Sequence, residues 1–157
     1  MQPEDWEAAR AIYQAGIDTG NATFETRAPE WAEWDAKHLP NCRLVAKANG
    51  EVIGWTALSP TSSRAVYAGV VEESVYIAES ARGNGVGKAL LMALIAESEK
   101  AGIWMIQTGI FPENVASLAL HKACGFREVG YRERIGKMNG VWRNTIFLER
   151  RSKVAGN

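Results

Sequence analysis

The segment Arg82-Gly83-Asn84-Gly85-Val86-Gly87-Lys88 sets three glycines between two cations, after the run Val75-Tyr76-Ile77 and before the apolar stretch opened by Ala89. Read as the end of a strand, a turn and the start of a helix, it has a defined chemical use. The first N–H groups of a helix lack intrahelical partners, and aligned peptide dipoles put partial positive charge there. Gly83, Gly85 and Gly87 carry no Cβ, so a large anion can approach the backbone, with Arg82 and Lys88 adding fixed charge. A phosphate or pyrophosphate suits such a turn; a glycine turn without ligand is the plainer reading. Two further groups could move protons. On a strand over Val70–Ile77, Glu72, Ser74 and Tyr76 share one face and Glu73, Val75 and Ile77 the other. The apolar companions of Glu73 mark its face as core and put Glu73 near the edge where the strand begins. Glu72 falls on the polar face, either as a base or as a carboxylate in solvent. In Asn114-Val115-Ala116-Ser117-Leu118-Ala119-Leu120-His121, Asn114 is a good helix N-cap, and Gly125 a good residue just past the helix end. His121 brings an imidazole that is either structural or an acid.

Glycine spacing narrows the phosphate ligand. A dinucleotide fingerprint, Gly-x-Gly-x-x-Gly, would put its third glycine on Lys88. A P-loop would need glycine at Arg82 and a hydroxyl residue at Ala89. Both fail. What remains, Arg-x-x-Gly-x-Gly after a Val-rich strand, resembles the acetyl-CoA-binding motif of the Gcn5-related N-acetyltransferases. The resemblance implies that Arg82, Gly83, Asn84, Gly85, Val86, Gly87 and Lys88 hold the pyrophosphate of coenzyme A. It also implies that Asn114 and Ser117, in an Asn-x-x-Ser pattern, lie at the pantetheine arm. His121 stands where many relatives have a tyrosine that protonates the departing thiolate.

The likeness extends along nearly the whole chain. Arg64-x-x-Tyr67, Val71-Glu72-x-Ser74-Val75-Tyr76-Ile77, the glycine turn and Ser117-Leu118-x-Leu120-His121-x-x-x-Gly125-Phe126 resemble the phosphinothricin N-acetyltransferase branch. That branch includes enzymes acting on methionine sulfoximine and methionine sulfone. Ala22-Thr23-Phe24-Glu25-Thr26 and Gly140-x-Trp142 fit it too. The implied protein is a single N-acetyltransferase domain over residues 1–157 that uses acetyl-CoA, needs no metal and forms a homodimer. Its implied acceptor is a small amino-acid-like amine. Arg64 could pair with an acceptor carboxylate, and Phe24 and Tyr67, with Trp55, could wall a small pocket, though each also suits a surface or core role. The chain departs from the pattern at three places: Thr61-Ser62 replaces a Trp-Arg pair, Gly69 a bulky aromatic, and Asn144 an aspartate.

The reaction sets requirements. An amino acid's amine is mostly ammonium near neutral pH and must lose a proton before it attacks a thioester; Glu72 is the candidate base. An ordinary glutamate titrates near pH ~4.3, so burial or a water relay has to assist it. Backbone N–H groups around Val75, Tyr76 and Ile77, freed where the strand splays, would stabilise the oxyanion; one such donor contributes roughly 3 kcal/mol. His121 would protonate or steady the leaving sulfur. Direct attack in a ternary complex is expected, without an acyl-enzyme. A non-enzymatic acyl-CoA-binding module, or an enzyme for polyamines, aminoglycosides or peptide N-termini, are the alternatives.

These residues need a scaffold that positions them. Helices are expected over Pro3–Gly20 (apolar at Ile12, Ala15 and Ile17), Pro29–His38, Gly87–Ala101 and Asn114–Ala123. Strands are expected at Arg43–Lys47 and Val52–Ala57 across Asn49-Gly50, at Val70–Ile77 and Ile103–Phe111, and at Arg127–Gly136 and Val141–Glu149 across Asn139-Gly140. The order predicts an α/β fold: one mixed, mostly antiparallel twisted sheet with helices on both faces. The acetyltransferase fold usually opens with a strand, and little precedes the first helix here.

Composition excludes other classes. The 157 residues suit one domain, and a formal net charge of zero gives no pull toward nucleic acid. No apolar run would span a bilayer and no secretory signal opens the chain. Cys42 and Cys124 lack metal-ligand spacing, and two reduced thiols fit a cytoplasmic setting.

Overall fold

The computed structural model describes residues 1–156. Its elements run α1 (Trp6–Asp18), α2 (Trp31–Lys37), β1 (Leu44–Ala48), β2 (Glu51–Pro60), β3 (Val70–Ile77), α3 (Val86–Lys100), β4 (Met105–Ile110), α4 (Val115–Ala123), β5 (Arg127–Met138) and β6 (Val141–Arg151). The six strands form one sheet in the order β1-β2-β3-β4-β6-β5. Every neighbouring pair is antiparallel except β3 and β4. The two hairpins close on Asn-Gly pairs in which both residues have positive φ: 50° and 84° at Asn49-Gly50, 49° and 80° at Asn139-Gly140. That is the turn geometry whose twist matches two antiparallel strands.

Helices cover both faces because β2 and β3 alternate apolar residues to both. On one face Leu91, Leu94 and Ile95 of α3 pack on Leu58, Val71, Ile106 and Leu148. On the other, Trp6, Ala9 and Ile12 of α1 and Trp34 of α2 pack on Trp55 and Ala57. Burying each of the leucine, isoleucine and valine side chains contributes roughly 1.5–3 kcal/mol. No helix among the described residues is long and apolar enough to cross a membrane.

The elements differ from expectation at their ends and in one face. Pro3–Asp5 forms a separate 3-10 turn, and α1 stops at Asp18. Ala15 is exposed; the buried face of α1 is Trp6, Ala9, Ile12, Gly16 and Ile17. The face runs through Gly16 because a Cβ there would lie 2.7 Å from the Tyr76 ring, so only bare backbone admits that ring. Gly69 has a similar cause. A Cβ at Gly69 would fall 2.1 Å from the Trp104 ring, so Trp104 fills the space a bulky residue at 69 would need. Gly69→Ala is therefore expected to lower the unfolding free energy by about 1–3 kcal/mol through overpacking. Equilibrium denaturation measures this, and an unchanged midpoint would mean the indole moves aside freely.

Candidate active site

The site begins where a ladder stops. β3 and β4 pair in parallel only at Val70–Met105, Val71–Ile106 and Glu72–Gln107. Beyond Glu72, β3 continues to Ile77 paired with β2 alone, while β4 continues to Ile110 paired with β6. The wedge between them opens into a cavity of about 760 Å³. Val75, Tyr76 and Ile77 form one wall, and Thr108, Gly109 and Ile110 the opposite one.

At one end of the wedge lies the glycine turn. Gly85 is the N-cap of α3 with φ of 79°, a left-handed conformation that glycine adopts without steric cost. Arg82, Gly83, Gly85, Val86, Gly87 and Lys88 all line the cavity. Nothing lies within 4 Å of where a Cβ would sit at Gly83 or Gly85, so their bare backbone is open to a ligand. Gly87 serves packing as well: a Cβ there would meet Leu120 at 3.1 Å, so its absence lets α3 close on α4. Asn84 is outside the lining; its side-chain amide donates to the carbonyls of Ala81 (3.4 Å) and Arg82 (3.2 Å) and folds the turn.

α4 brings the next group. Asn114 caps it, its Oδ1 accepting from the Ser117 N–H at 3.2 Å. The same side chain donates to the Asn21 carbonyl at 3.2 Å, tying α4 to the segment after α1. Asn114, Ser117 and His121 line the cavity. His121 is buried, with Nδ1 at 2.7 Å from the Ser117 carbonyl and Nε2 at 2.7 Å from Oε1 of Glu73. Burial pushes the imidazole's pKa down, but the Glu73 carboxylate and the Ser117 carbonyl outweigh it and raise it above the ordinary value. Glu73 is thus not at a strand edge, as its position suggested, but 4% exposed and beneath α4. The signal was present: a carboxylate on an apolar strand face needs a buried partner, and the alternation had assigned that face correctly.

Glu72 occupies the opposite face of β3 and lines two spaces at once. One is the large cavity. The other is a recess of about 300 Å³, bounded by Tyr13, Thr23, Glu25, Arg27, Lys37, His38 and Ser59. Glu72 is exposed at the cleft, yet desolvation by the cleft walls pushes its carboxyl up, the Glu73 charge adds to this, and Arg132 opposes it. Sequence reasoning missed this recess because its walls come from α1, α2, the loop between them, and β2.

Of the residues expected at the acceptor, Phe24 lines the large cavity, its ring edge-on to Phe111 with centroids 4.8 Å apart. Arg64 and Tyr67 line neither space; the guanidinium lies over the Tyr67 ring at 5.5 Å, and both residues are exposed. Trp55 is core. Arg143 is an unforeseen organiser. It donates to the Gly20 carbonyl (2.8 Å) and Asn21 Oδ1 (2.9 Å) and lies 4.1 Å over the Phe111 ring, pinning the loop that floors the cavity.

Comparison with known proteins fits this geometry. The family model of the acetyltransferase (GNAT) family matches residues 6–126. A phosphinothricin N-acetyltransferase of Alcaligenes faecalis is 36% identical over 159 aligned residues, covering 96% of this chain and 79% of that one. An L-methionine sulfoximine/L-methionine sulfone acetyltransferase of Pseudomonas aeruginosa is 30% identical, covering 76% of this chain and 69% of the relative. Among solved structures, a phosphinothricin acetyltransferase from Sinorhizobium meliloti in complex with AcCoA superposes with a TM-score of 0.88 at 31% identity, covering 99% of this chain and 88% of that one.

The two bonds of Asn114 separate capping from ligand contact. Asn114→Ala should cost about 0.5–2 kcal/mol of stability, whereas Asn114→Ser, which keeps a capping oxygen, should cost little. If the amide also meets the pantetheine arm, the Ser variant will still bind acetyl-CoA more weakly by calorimetry. Wild-type affinity in the Ser variant would leave Asn114 as a cap only.

Proposed function

We propose that this chain, which belongs to the acetyltransferase (GNAT) family, acetylates the amino group of a small amino acid or amino-acid analogue of the phosphinothricin, methionine sulfoximine or methionine sulfone type. It is an acetyl-CoA-dependent N-acetyltransferase. The observation that carries the acceptor reading is the place of Glu72, in the wall common to the large cavity and the smaller recess. Acetyl-CoA fits the larger space, its pyrophosphate on the α3 turn and its pantetheine in the wedge of β3 and β4. The acceptor then enters from the recess and meets Glu72 at the junction. Arg27 and Lys37 in that recess, ion-paired with Glu33 at 3.4 and 3.0 Å, supply cations that an acceptor carboxylate would share, a role Arg64 does not reach in this chain. Glu25 in the same recess favours an ammonium beside Glu72, which also keeps a cationic polyamine in the comparison.

The state of the two thiols supports direct attack within a ternary complex. Cys42 and Cys124 are both buried, and burial pushes both thiols above their ordinary range, away from the thiolate an acyl-enzyme needs. Glu72, with its raised pKa, takes the ammonium proton. Amides of β3 beyond the ladder's end face the developing oxyanion. A homodimer fits the surface: β5 is a sheet edge, and Val129, Tyr131, Ile135, Val141 and Trp142 on the β5–β6 hairpin are exposed.

A thiol-release assay tests the acceptor class. Phosphinothricin, methionine sulfoximine and methionine sulfone are expected to turn over well ahead of spermidine or an aminoglycoside, and activity confined to the cations would overturn the reading. Glu72→Gln should lower kcat by about 10²–10⁴-fold while leaving acetyl-CoA affinity unchanged. Because the base must be unprotonated, wild-type kcat/KM should rise with pH through a midpoint above the ordinary glutamate value. Sedimentation at micromolar concentration should return a dimer; a monomer mass would remove that part.

A further inference from the structure

Glu73 is a buried carboxylate that the acyl transfer outlined above does not use. Its Oε1 lies 2.7 Å from His121 Nε2, and its Oε2 has no hydrogen-bond partner. The proton count of this contact follows from its other end. His121 Nδ1 sits 2.7 Å from the Ser117 carbonyl, with the Ser117 hydroxyl at 3.3 Å. A carbonyl oxygen only accepts, so Nδ1 carries hydrogen and donates. Nε2 and Oε1 then face each other at 2.7 Å, and two bare lone pairs at that distance would repel. A proton lies between them. Glu73 and His121 hold it jointly, either as carboxylate and imidazolium or as carboxylic acid and imidazole.

The location of this proton matters. Glu72 and Glu73 are consecutive on β3, project to opposite faces, and stand where the β3–β4 ladder ends. Glu72 lines both the cavity and the recess, whereas Glu73 and His121 line only the cavity. A base therefore faces the acceptor side of the strand, and a buried proton pair the thioester side.

We propose that Glu73 is a positioning residue that keeps the proton on His121, so that the Glu73–His121 pair is the acid for the departing thiolate. This rests on the acetyl-transfer reading and extends it. As the amine nitrogen bonds to the acetyl carbon, the carbonyl π pair moves to oxygen. When the carbonyl re-forms, the C–S bond breaks, its electron pair goes to sulfur, and sulfur takes the proton of the pair. The ammonium gives up two protons by way of Glu72 during a turnover. One balances the proton lost by the pair, which is recharged from water once the cavity empties; the other is released to solvent. The Glu73 charge is felt by Glu72 and Tyr76 on β3 and by Cys124 at the end of α4; Arg132 on β5 acts on Glu72, and Lys88 on α3 and Arg150 on β6 act on Cys124. Among the described residues, Glu73 is the carboxylate hydrogen-bonded to His121.

Glu73→Gln tests this, because it keeps the shape and an accepting oxygen but removes the charge. The chain has two histidines, so imidazole ¹⁵N NMR signals are assigned by subtraction with His121→Gln. In Glu73→Gln the His121 midpoint should fall by about 1–3 pH units. An acid must be protonated to act, so the alkaline limb of kcat should move down by the same amount. At the wild-type optimum, kcat should drop by about tenfold or more, the lower end of acid–base effects, with KM for acetyl-CoA unchanged. Glu73→Asp should recover part of both shifts. An unmoved NMR midpoint, or an unmoved alkaline limb with wild-type kcat, overturns the proposal and leaves Glu73 a structural partner. A wild-type enzyme silent on every acceptor would instead overturn the acceptor reading, and the NMR midpoint would still decide whether Glu73 holds the proton on His121.

Discussion

The site depends on an interrupted ladder. A parallel pair in the middle of a sheet normally continues, because each strand presents N–H and C=O groups that are costly to leave unpaired. Here β3 and β4 separate after the Glu72–Gln107 pair. The sheet survives because each strand is held from its outer side: β3 against β2 from Val71–Pro60 to Ile77–Gly54, and β4 against β6 from Met105–Arg151 to Ile110–Ile146. Below the fork, Leu58, Val71, Ile106 and Leu148 keep the sheet closed in one core. Above it, the freed backbone lines a cavity between two helix starts. An extended, amide-bearing ligand suits such a gap, since it offers hydrogen bonds where the missing strand would have done.

Charge is arranged around that fork by strand alternation alone. Two consecutive glutamates on β3 point to opposite faces, so one meets a recess lined by polar groups and the other is covered by α4. Their proximity has a consequence on both faces: the Glu73 carboxylate pushes the Glu72 carboxyl up and raises the affinity of His121 for a proton. Glu72 and His121, on opposite faces of the strand, are thus shifted in the same direction by one carboxylate, while the cations of the glycine turn lie at one end of the cavity.

What the sequence disclosed follows the range of the forces involved. The α3 turn, the two Asn-Gly hairpins and the Asn114 cap are set by residues within a few positions, and each could be read directly. The alternating faces of β3 were legible for the same reason. Partnerships across the chain were not. Glu73 and His121 lie 48 positions apart, and Arg143 reaches the Gly20 carbonyl across 123. Gly16, four positions after Ile12, lies on the buried face of α1 by the helical period, but the Tyr76 ring that packs on it is a partner from β3 that no local pattern names. Arg64 could be named for its chemistry but not for its place, and the structure sets it over Tyr67, outside both spaces.

The aromatic layer under the recess leaves the loop between α1 and α2 as its variable wall. Trp6, Trp34 and Trp55 pack together, with Tyr13 edge-on to Trp55 and Tyr76 stacked on it at a centroid distance of 5.0 Å. Such a layer holds Tyr76 and Tyr13 rigidly at the recess, and burial pushes the Tyr13 phenol up to about 12, so it stays neutral there. The aromatic floor sets the depth of the recess, and its polar wall comes from Thr23, Glu25 and Arg27, on the segment between α1 and α2, and from Lys37 on α2. Arg143 and Asn114 both bond to the start of that segment. The polar wall of the recess can thus change through the loop while the fork, the turn and the two glutamates of β3 stay in place.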